Sequence, residues 1–471
     1  MWAVVICLVG LLVRIGYWVY TWANPKCNGK LPPGSMGLPI IGESIEFFSP
    51  HGLYDIPPFI SKRMARCGTL FRTSLVGQKI IVSTDPKINY SILQQENKNF
   101  LLWYTESFIE ILGEESFSFH GNLHKYLTKL ILSLVGPENL RKKVVHELNE
   151  LTCRHLHSWA NHGSFNVKEG ASQMIFEYFC KKLISYDETK DARKLRENYK
   201  AFIDGLFSFP LNIPGTAFHA CLRGRKKVIK VIGDIYRERK ASKICRHDFM
   251  DDLLEEVEKE ETIMNESMAI NLIFLILFAA HETTSSGITL LTKYIFDHPH
   301  VLEELTKEHE TILRNREEER SEITWEEYKS MTFTHMVINE ALRLANIVPG
   351  IFRRVMNDVQ IKGYTIPAGW LVMMVPSVLH LNPDKYEDPL AFNPWRWEGQ
   401  ELHAGSKTFM AFGGGVRLCV GADFTKLQMA ILLHHLVTKY RWSVIKGGDV
   451  IRRPGLIFQN GPHIKIAEKY K

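Results

Sequence analysis

The 471-residue chain has no C-x-x-C pair: its eight cysteines, at 7, 27, 67, 153, 180, 221, 245 and 419, all stand singly. That excludes a zinc ribbon, a thioredoxin-like redox pair and a disulfide framework, and each thiol needs its own explanation. A reducing compartment is the default for such a chain. Charge of one sign is also scarce, with 58 Lys and Arg against 52 Asp and Glu for a net +6. A basic stripe for nucleic acid needs a larger excess, so nucleic acid is not an expected partner. Internal repeats and low-complexity linkers are missing, which favours one large body over the three domains suggested by length at about 150 residues each. Apolar material is plentiful. At 45% hydrophobic and 11% aromatic the chain can bury a large core, and wholesale disorder is excluded.

Residues Trp2 to Trp22 form a nearly unbroken apolar run with Arg14 as its one charge. A spanning helix needs about 20 such residues. Trp2, Tyr17, Trp18, Tyr20 and Trp22 cluster near the ends, where amphipathic rings favour the membrane interface. No small-residue cleavage site precedes Asn24-Pro25, so a retained anchor over 1–23 is expected rather than a removed signal peptide. Lys26 and Lys30 follow the run and no Lys or Arg precedes it, which places the rest of the chain in the cytosol. Asn265-Glu266-Ser267 then matches a glycosylation acceptor only by chance. The proline-rich text Leu31-Pro32-Pro33-Gly34-Ser35-Met36-Gly37-Leu38-Pro39 predicts a stiff hinge, 24–42, ahead of a body over 43–471.

Within the body, β-branched runs such as Lys79-Ile80-Ile81-Val82-Ser83 predict strands between about 50 and 100. From about 100 to 345 the text is mostly helical, and the charge runs Asp251–Glu261 and Val301–Glu319 read as solvated faces. Strand signals return from 350 to 400, as in Gln360-Ile361-Lys362-Gly363-Tyr364-Thr365-Ile366-Pro367, before a last apolar helix over Ala422 to Tyr440. The expected fold class is mainly α with smaller β-sheets.

Four patterns carry candidate chemistry. Phe412-Gly413-Gly414-Gly415-Val416-Arg417-Leu418-Cys419-Val420-Gly421 holds a single thiol in a glycine-rich loop just before that helix. Glycines let backbone approach a flat ligand, amide N–H groups favour a thiolate, and Arg417 can pair with an anionic group. Alone, such a loop is more often a structural turn. In Glu340-Ala341-Leu342-Arg343 the i, i+3 spacing puts acid and base on one helix face, a pair that is usually a weak surface bridge. Phe392-Asn393-Pro394-Trp395-Arg396-Trp397 is an aromatic turn with one arginine. Finally, the apolar helix Ile270 to Ile295 is interrupted by Ala279-Ala280-His281-Glu282-Thr283-Thr284, where an acid and hydroxyls are costly to bury without purpose. His281-Glu282 begins like H-E-x-x-H, but Ser285 takes the second histidine position and the zinc-protease reading fails.

Taken in order, F-x-x-G-x-R-x-C-x-G preceded by an aromatic-Pro-x-Arg turn and an E-x-x-R helix resembles the cytochrome P-450 family, from the anchor to about residue 465. The resemblance implies a triangular prism of helices with small sheets, preceded by a single membrane helix. It implies haem b with Cys419 as axial ligand to the iron and Phe412 near the porphyrin face. Glu340, Arg343 and Arg396 become a buried structural triad. Thr283 and Glu282 match the family's oxygen-binding groove, with Ala280 where glycine is usual; the threonine holds dioxygen and the acid relays protons. His281 is a bystander. The family's early propionate-binding W-x-x-x-R is here His124-Lys125-Tyr126-Leu127-Thr128-Lys129, so His124 and Lys129 become the candidate haem contacts, joined by Arg353 and Arg417.

No flavin or nicotinamide motif is present, so the resemblance implies a separate NADPH-dependent flavoprotein reductase, docked on a basic face for which Arg417, Lys426 and Lys439 are candidates. The text Phe209-Pro210-Leu211-Asn212-Ile213-Pro214-Gly215-Thr216-Ala217-Phe218-His219 is similar to the loop over the substrate entrance in plant members acting on sterols, brassinosteroids and triterpenoids, as is Ile323–Met331. As pocket candidates, Trp103, Phe108 and Ile109 lie where the family places a loop over the haem, and Val348, Ile351 and Phe352 follow the E-x-x-R helix, though residues of these types are more often plain core. The expectation is a monooxygenase of the endoplasmic reticulum membrane that uses O2 on a sterol or triterpenoid by hydroxylation or successive oxidation. Two alternatives stay open: an oxygen-independent isomerase or dehydratase of lipid peroxides, and a haem-poor binding protein.

Overall fold

The computed structural model describes residues 2–113, 120–188, 191, 193–206, 208, 210–316, 322–400 and 406–469. Helix Trp2–Ala23 meets the body through Trp22 near its carboxyl end, and no residue of Val4–Ala23 is buried. Lateral support is missing because the face of every turn is apolar, a pattern that suits lipid rather than a half-buried surface. The proline-rich segment does not stand clear as a free spacer. The Arg72 amide donates to the Pro33 carbonyl at 2.8 Å, Met36 is buried, and Trp22 Nε1–H donates to the Met36 carbonyl at 3.3 Å. It therefore covers the edge strand Leu70–Leu75 of the main sheet, whose backbone groups would otherwise face solvent unpaired.

That sheet has five strands in the order Leu70–Leu75, Gln78–Ser83, Leu371–Met374, Ile351–Val355, Phe100–Leu102. All pairings are antiparallel except Gln78–Ser83 with Leu371–Met374. A hairpin of Val359–Ile361 and Tyr364–Ile366 sits beside it. Near the carboxyl end Tyr440–Lys446, His463–Glu468 and Ser164–Asn166 form a second antiparallel sheet.

Two helices run through the core. Glu266–Asp297 is long enough to cross a membrane, yet more than half of it is buried within the protein. It is continuous through Ala279–Thr284, so the polar insertion breaks the apolar pattern and not the helix. Asn265 caps its start by accepting the Met268 amide at 2.9 Å, which gives the chance glycosylation match a structural job. Ala422–Lys439 is buried on nearly all faces, as a helix apolar all round must be. The two meet through side chains: a Cβ on Gly287 would lie 2.5 Å from Met429 Cε, the flexible end of a side chain that would have to shift to admit it. All eight cysteines are free.

Candidate active site

Cys419 sits on the turn that enters helix Ala422–Lys439. Its amide donates to the Phe412 carbonyl at 3.0 Å, closing the loop into a compact hairpin-like bend. The thiol has exposed surface but lies in a recess crowded by protein. Burial there pushes the Cys419 thiol up, against the Gly421 N–H, which favours the thiolate. The glycines serve a purpose the sequence did not reveal. Gly415 has φ +64, and a Cβ there would lie 2.3 Å from the Leu93 carbonyl oxygen; Gly414 meets the Leu93 side chain. Close approach is thus needed against the end of helix Pro86–Gln94 as well as toward any flat ligand.

Behind the loop, Arg353 and Arg417 converge. Both side chains are largely buried, and both meet one carboxylate, that of Glu96: Arg353 Nε lies 2.5 Å from Oε2 and Arg417 Nε 3.3 Å from Oε1. His120 Nδ1 is 3.2 Å from an Arg417 terminal nitrogen. His124 lies in the same field; burial first and the Arg417 charge second push its imidazole down, as they do for His120. Lys129 does not join. It is exposed and acts on Glu256, beside Tyr126 Oη, which donates to that carboxylate at 2.7 Å. Five helical residues separate it from His124, so it points about 140° around the helix. Thr128 shares the His124 face, its hydroxyl donating to the His124 carbonyl at 2.8 Å.

These residues fit a haem. A single thiol on a glycine loop keeps exposed surface, and two buried guanidiniums stand near the same loop for carboxylate groups. Arg353 Nε and Glu96 Oε2 are close but not aligned for a hydrogen bond, which leaves a buried donor able to take a better acceptor.

Glu340, Arg343 and Arg396 come together as predicted, and the pair is no surface bridge. Glu340 and Arg343 side chains are 0% exposed. Glu340 accepts from Arg343 Nε at 2.9 Å and from a terminal nitrogen at 2.8 Å, from Arg396 Nε at 3.0 Å, from Trp397 Nε1 at 3.0 Å and from the Asn393 amide at 3.0 Å. Arg343 donates to the His380 and Pro389 carbonyls at 2.6 and 2.7 Å. His380 carries the link onward, its Nδ1 against Asn346 Oδ1 at 2.7 Å and its Nε2 accepting the Met410 amide at 2.9 Å. The E-x-x-R helix is thereby tied to the segment that leads into the cysteine loop. Trp397, His380 and Asn346 were missed; only the second tryptophan of the aromatic turn left a signal in the sequence.

On helix Glu266–Asp297, Thr283 is exposed and its hydroxyl donates to the Ala279 carbonyl at 2.7 Å. Thr284 is buried, its Oγ1 3.3 Å from that of Thr425, three residues into the helix that follows Cys419. Glu282 is turned along the helix side. Lys168 Nζ donates to its Oε1 at 2.9 Å and to Ser285 and Ser286 hydroxyls at 2.7 and 3.0 Å. Lys168 was not foreseen. His281 packs edge-on to Phe176 and Tyr199, beside Ser172, as a bystander would.

The pocket candidates give two separate ring pairs: Trp103 meets Phe352 at 5.9 Å between ring centres, and Phe108 meets Phe278, one residue before the polar insertion, at 6.3 Å. The proline-rich loop after helix Leu195–Gly205 exposes Leu211 and Ile213; Phe209 lies outside the described residues. The Ile323–Met331 text is a helix start, with Thr324 and Glu327 in a reciprocal capping box. The candidates for a basic face are partly withdrawn from the surface. Arg417 is turned inward, Lys426 lies half-buried over the Phe409 and Phe412 rings, and half-buried Lys439 reaches Cys153.

Residues 32–465 match the sequence pattern of the family described as Cytochrome P450. The chain is 50% identical to Cytochrome P450 87A3 of Oryza sativa subsp. japonica over 457 residues, 96% of this chain and 89% of the relative. It is 39% identical to the Beta-amyrin 16-alpha-hydroxylase CYP87D16 of Maesa lanceolata over the whole of both chains. Among solved structures, a retinoic acid-bound cyanobacterial CYP120A1 superposes with a TM-score of 0.82 at 25% identity, covering 94% of this chain and 100% of that one.

Proposed function

The chain belongs to the cytochrome P450 family, and from that premise we propose that it hydroxylates a triterpenoid or sterol at the endoplasmic reticulum membrane, drawing on NADPH through a flavoprotein reductase. As a member of that family it is a haem-dependent monooxygenase supplied with electrons by a reductase. The reaction splits O2: one oxygen enters a C–H bond, and the other leaves as water with two protons and two electrons. Thiolate-ligated haem, when bound, supplies the oxygen-activating chemistry.

The chain's own residues do the rest. Cys419 would hold the haem iron through its thiolate, on a loop whose hydrogen bond to Phe412 limits its motion. Arg353 and Arg417, with His124 nearby, would hold the haem carboxylates. The Thr283 hydroxyl, already anchored on the Ala279 carbonyl, presents its oxygen to the groove as a proton donor and acceptor. Glu282, bound by Lys168, is the proton-relay acid and stands beside the Ser285 and Ser286 hydroxyls on the flank of the same helix. Phe108, Phe278, Trp103 and Phe352 offer rings to an apolar polycyclic substrate and exclude water from it.

One observation carries the substrate class: full-length similarity to an enzyme named for hydroxylating β-amyrin. The apolar rings, and an anchor that lets a lipid reach the cleft from the bilayer, agree with it. The test uses membranes containing the full chain, a plant flavoprotein reductase and NADPH, incubated with pentacyclic and tetracyclic triterpenes and with sterols. A product heavier by one oxygen is expected from at least one of them. A reduced, carbon monoxide-bound spectrum with the thiolate band but no product from any member of the panel would overturn the substrate class.

A further inference from the structure

Glu96 follows helix Pro86–Gln94 and has almost no accessible surface; its side chain is 1% exposed. Its Oε1 accepts the Leu102 amide at 3.0 Å, which pins the carboxylate to strand Phe100–Leu102. From there it meets Arg353 through Oε2 and Arg417 through Oε1, in both cases at the guanidinium Nε. One buried acid thus serves two buried bases drawn from residues more than 250 positions further along the chain. The ionic sum of the three is +1, and the neighbouring His120 and His124 add no charge at neutral pH, because burial and Arg417 push their imidazoles down. A haem brings two carboxylates. With them in place the cluster carries a net −1, one negative charge more than the arginines can match. Glu96 and the haem carboxylates are chemically alike and seek the same two cations in a region sheltered from solvent.

We propose that Glu96 is an internal competitor of the haem propionates, pairing Arg353 and Arg417 while the chain lacks haem and adding a surplus negative charge once haem is seated. This rests on the haem-thiolate reading above. Before haem arrives, the carboxylate spares the fold two uncompensated buried guanidiniums, a costly arrangement. After haem arrives, the same charge opposes the propionates and favours the more positive, oxidised iron. Glu96 is therefore a positioning and tuning residue, and it lowers both haem retention and the iron reduction potential.

The test compares full-length holoenzyme with its Glu96→Gln variant on two readouts that need no turnover: haem kept against excess apomyoglobin, and the midpoint potential from a spectroscopic redox titration. The variant is expected to partition about tenfold in favour of keeping haem, the effect of one charge-assisted hydrogen bond at 1.4 kcal/mol per decade. Its potential is expected to move positive. Equal retention with an unmoved potential, or weaker retention, overturns the proposal. Should the Gln variant not accumulate folded, Glu96→Asp keeps the charge but withdraws it by one methylene. It is expected to keep more haem than the unaltered protein, and retention no better than unaltered overturns the proposal. Loss of folded protein in both variants also overturns it, because Glu96 is then a requirement of the fold. Absence of a thiolate-ligated band in the unaltered protein would instead sink the haem reading itself.

Discussion

Thr283 and Glu282 are neighbours in sequence, yet the helix sends them about 100° apart. Thr283 faces open space and Glu282 faces Lys168. Only the hydroxyl is thus placed to touch what binds in the groove, and removing it should uncouple electron use from product formation. Thr283→Ala is expected to cut product formed per NADPH consumed by about 10²-fold, the lower range for a lost proton-transfer group. The thiolate-bound carbon monoxide spectrum should stay intact. Simultaneous measurement of NADPH oxidation and product reads this directly; unchanged coupling would remove Thr283 from the chemistry. Lys129 and His124 teach the same lesson. A spacing of five residues cannot put two side chains on one face, so the haem-contact assignment of Lys129 fails while His124 stays beside Arg417.

The cysteine loop and the E-x-x-R helix are joined at the scale of elements. Glu340 receives five hydrogen bonds in a buried site, and its single negative charge is shared by Arg343 and Arg396. Glu340→Gln keeps the volume but strips the charge, leaving two guanidiniums short of their counter-ion at a cost of about 3–5 kcal/mol. Thermal unfolding of the purified variant should show a large drop, with poor accumulation of haem-loaded protein; a stability within experimental error of the unaltered chain would refute the account. Within the loop, two glycines differ in what they need. Gly413 has φ +76 with no atom outside its neighbours closer than 3.9 Å, whereas Gly415 combines φ +64 with a backbone oxygen at 2.3 Å. Gly413→Ala is expected to cost about 1–2 kcal/mol, the strain of a left-handed residue. Gly415→Ala must also push the loop off Leu93, and the thiolate band should be lost in that variant while it survives in Gly413→Ala.

Neutral histidines are buried at three places in the molecule, with His309 and His435 both beside His434. Burial pushes His281, His309, His380 and His435 down to about 3 from an ordinary 6.5. Between those values the unfolded chain binds protons that the folded chain refuses, so stability rises with pH there. The contribution is fully present above about pH 6.5 and is lost as pH falls toward 3, at about 1.4 kcal/mol per histidine per pH unit. A melting temperature markedly lower at pH 5.5 than at pH 7.5 is expected, and His309→Gln should flatten the difference. Equal melting temperatures at the two pH values would contradict neutral burial.

Short-range text determined much of this protein. Periodicity and composition sufficed for the apolar amino-terminal helix, the helical middle, the strand signal around 360–366 and the last helix, because each depends on residues a few positions apart. The ordered motifs were enough to place Cys419, Glu340, Arg343 and Arg396, since their spacing along the chain is itself the signal. What joins distant stretches was decided only by the tertiary structure. Glu96 looks like any acid after a helix until residues 353 and 417 arrive beside it, and Lys168 looks like a surface base until the Glu266–Asp297 helix covers it. The docking of the proline-rich segment is of the same kind, because the strand edge it covers is made 40 residues later. A charge has no meaning in sequence beyond its sign; its partner, its burial and hence its energy are properties of the packed molecule.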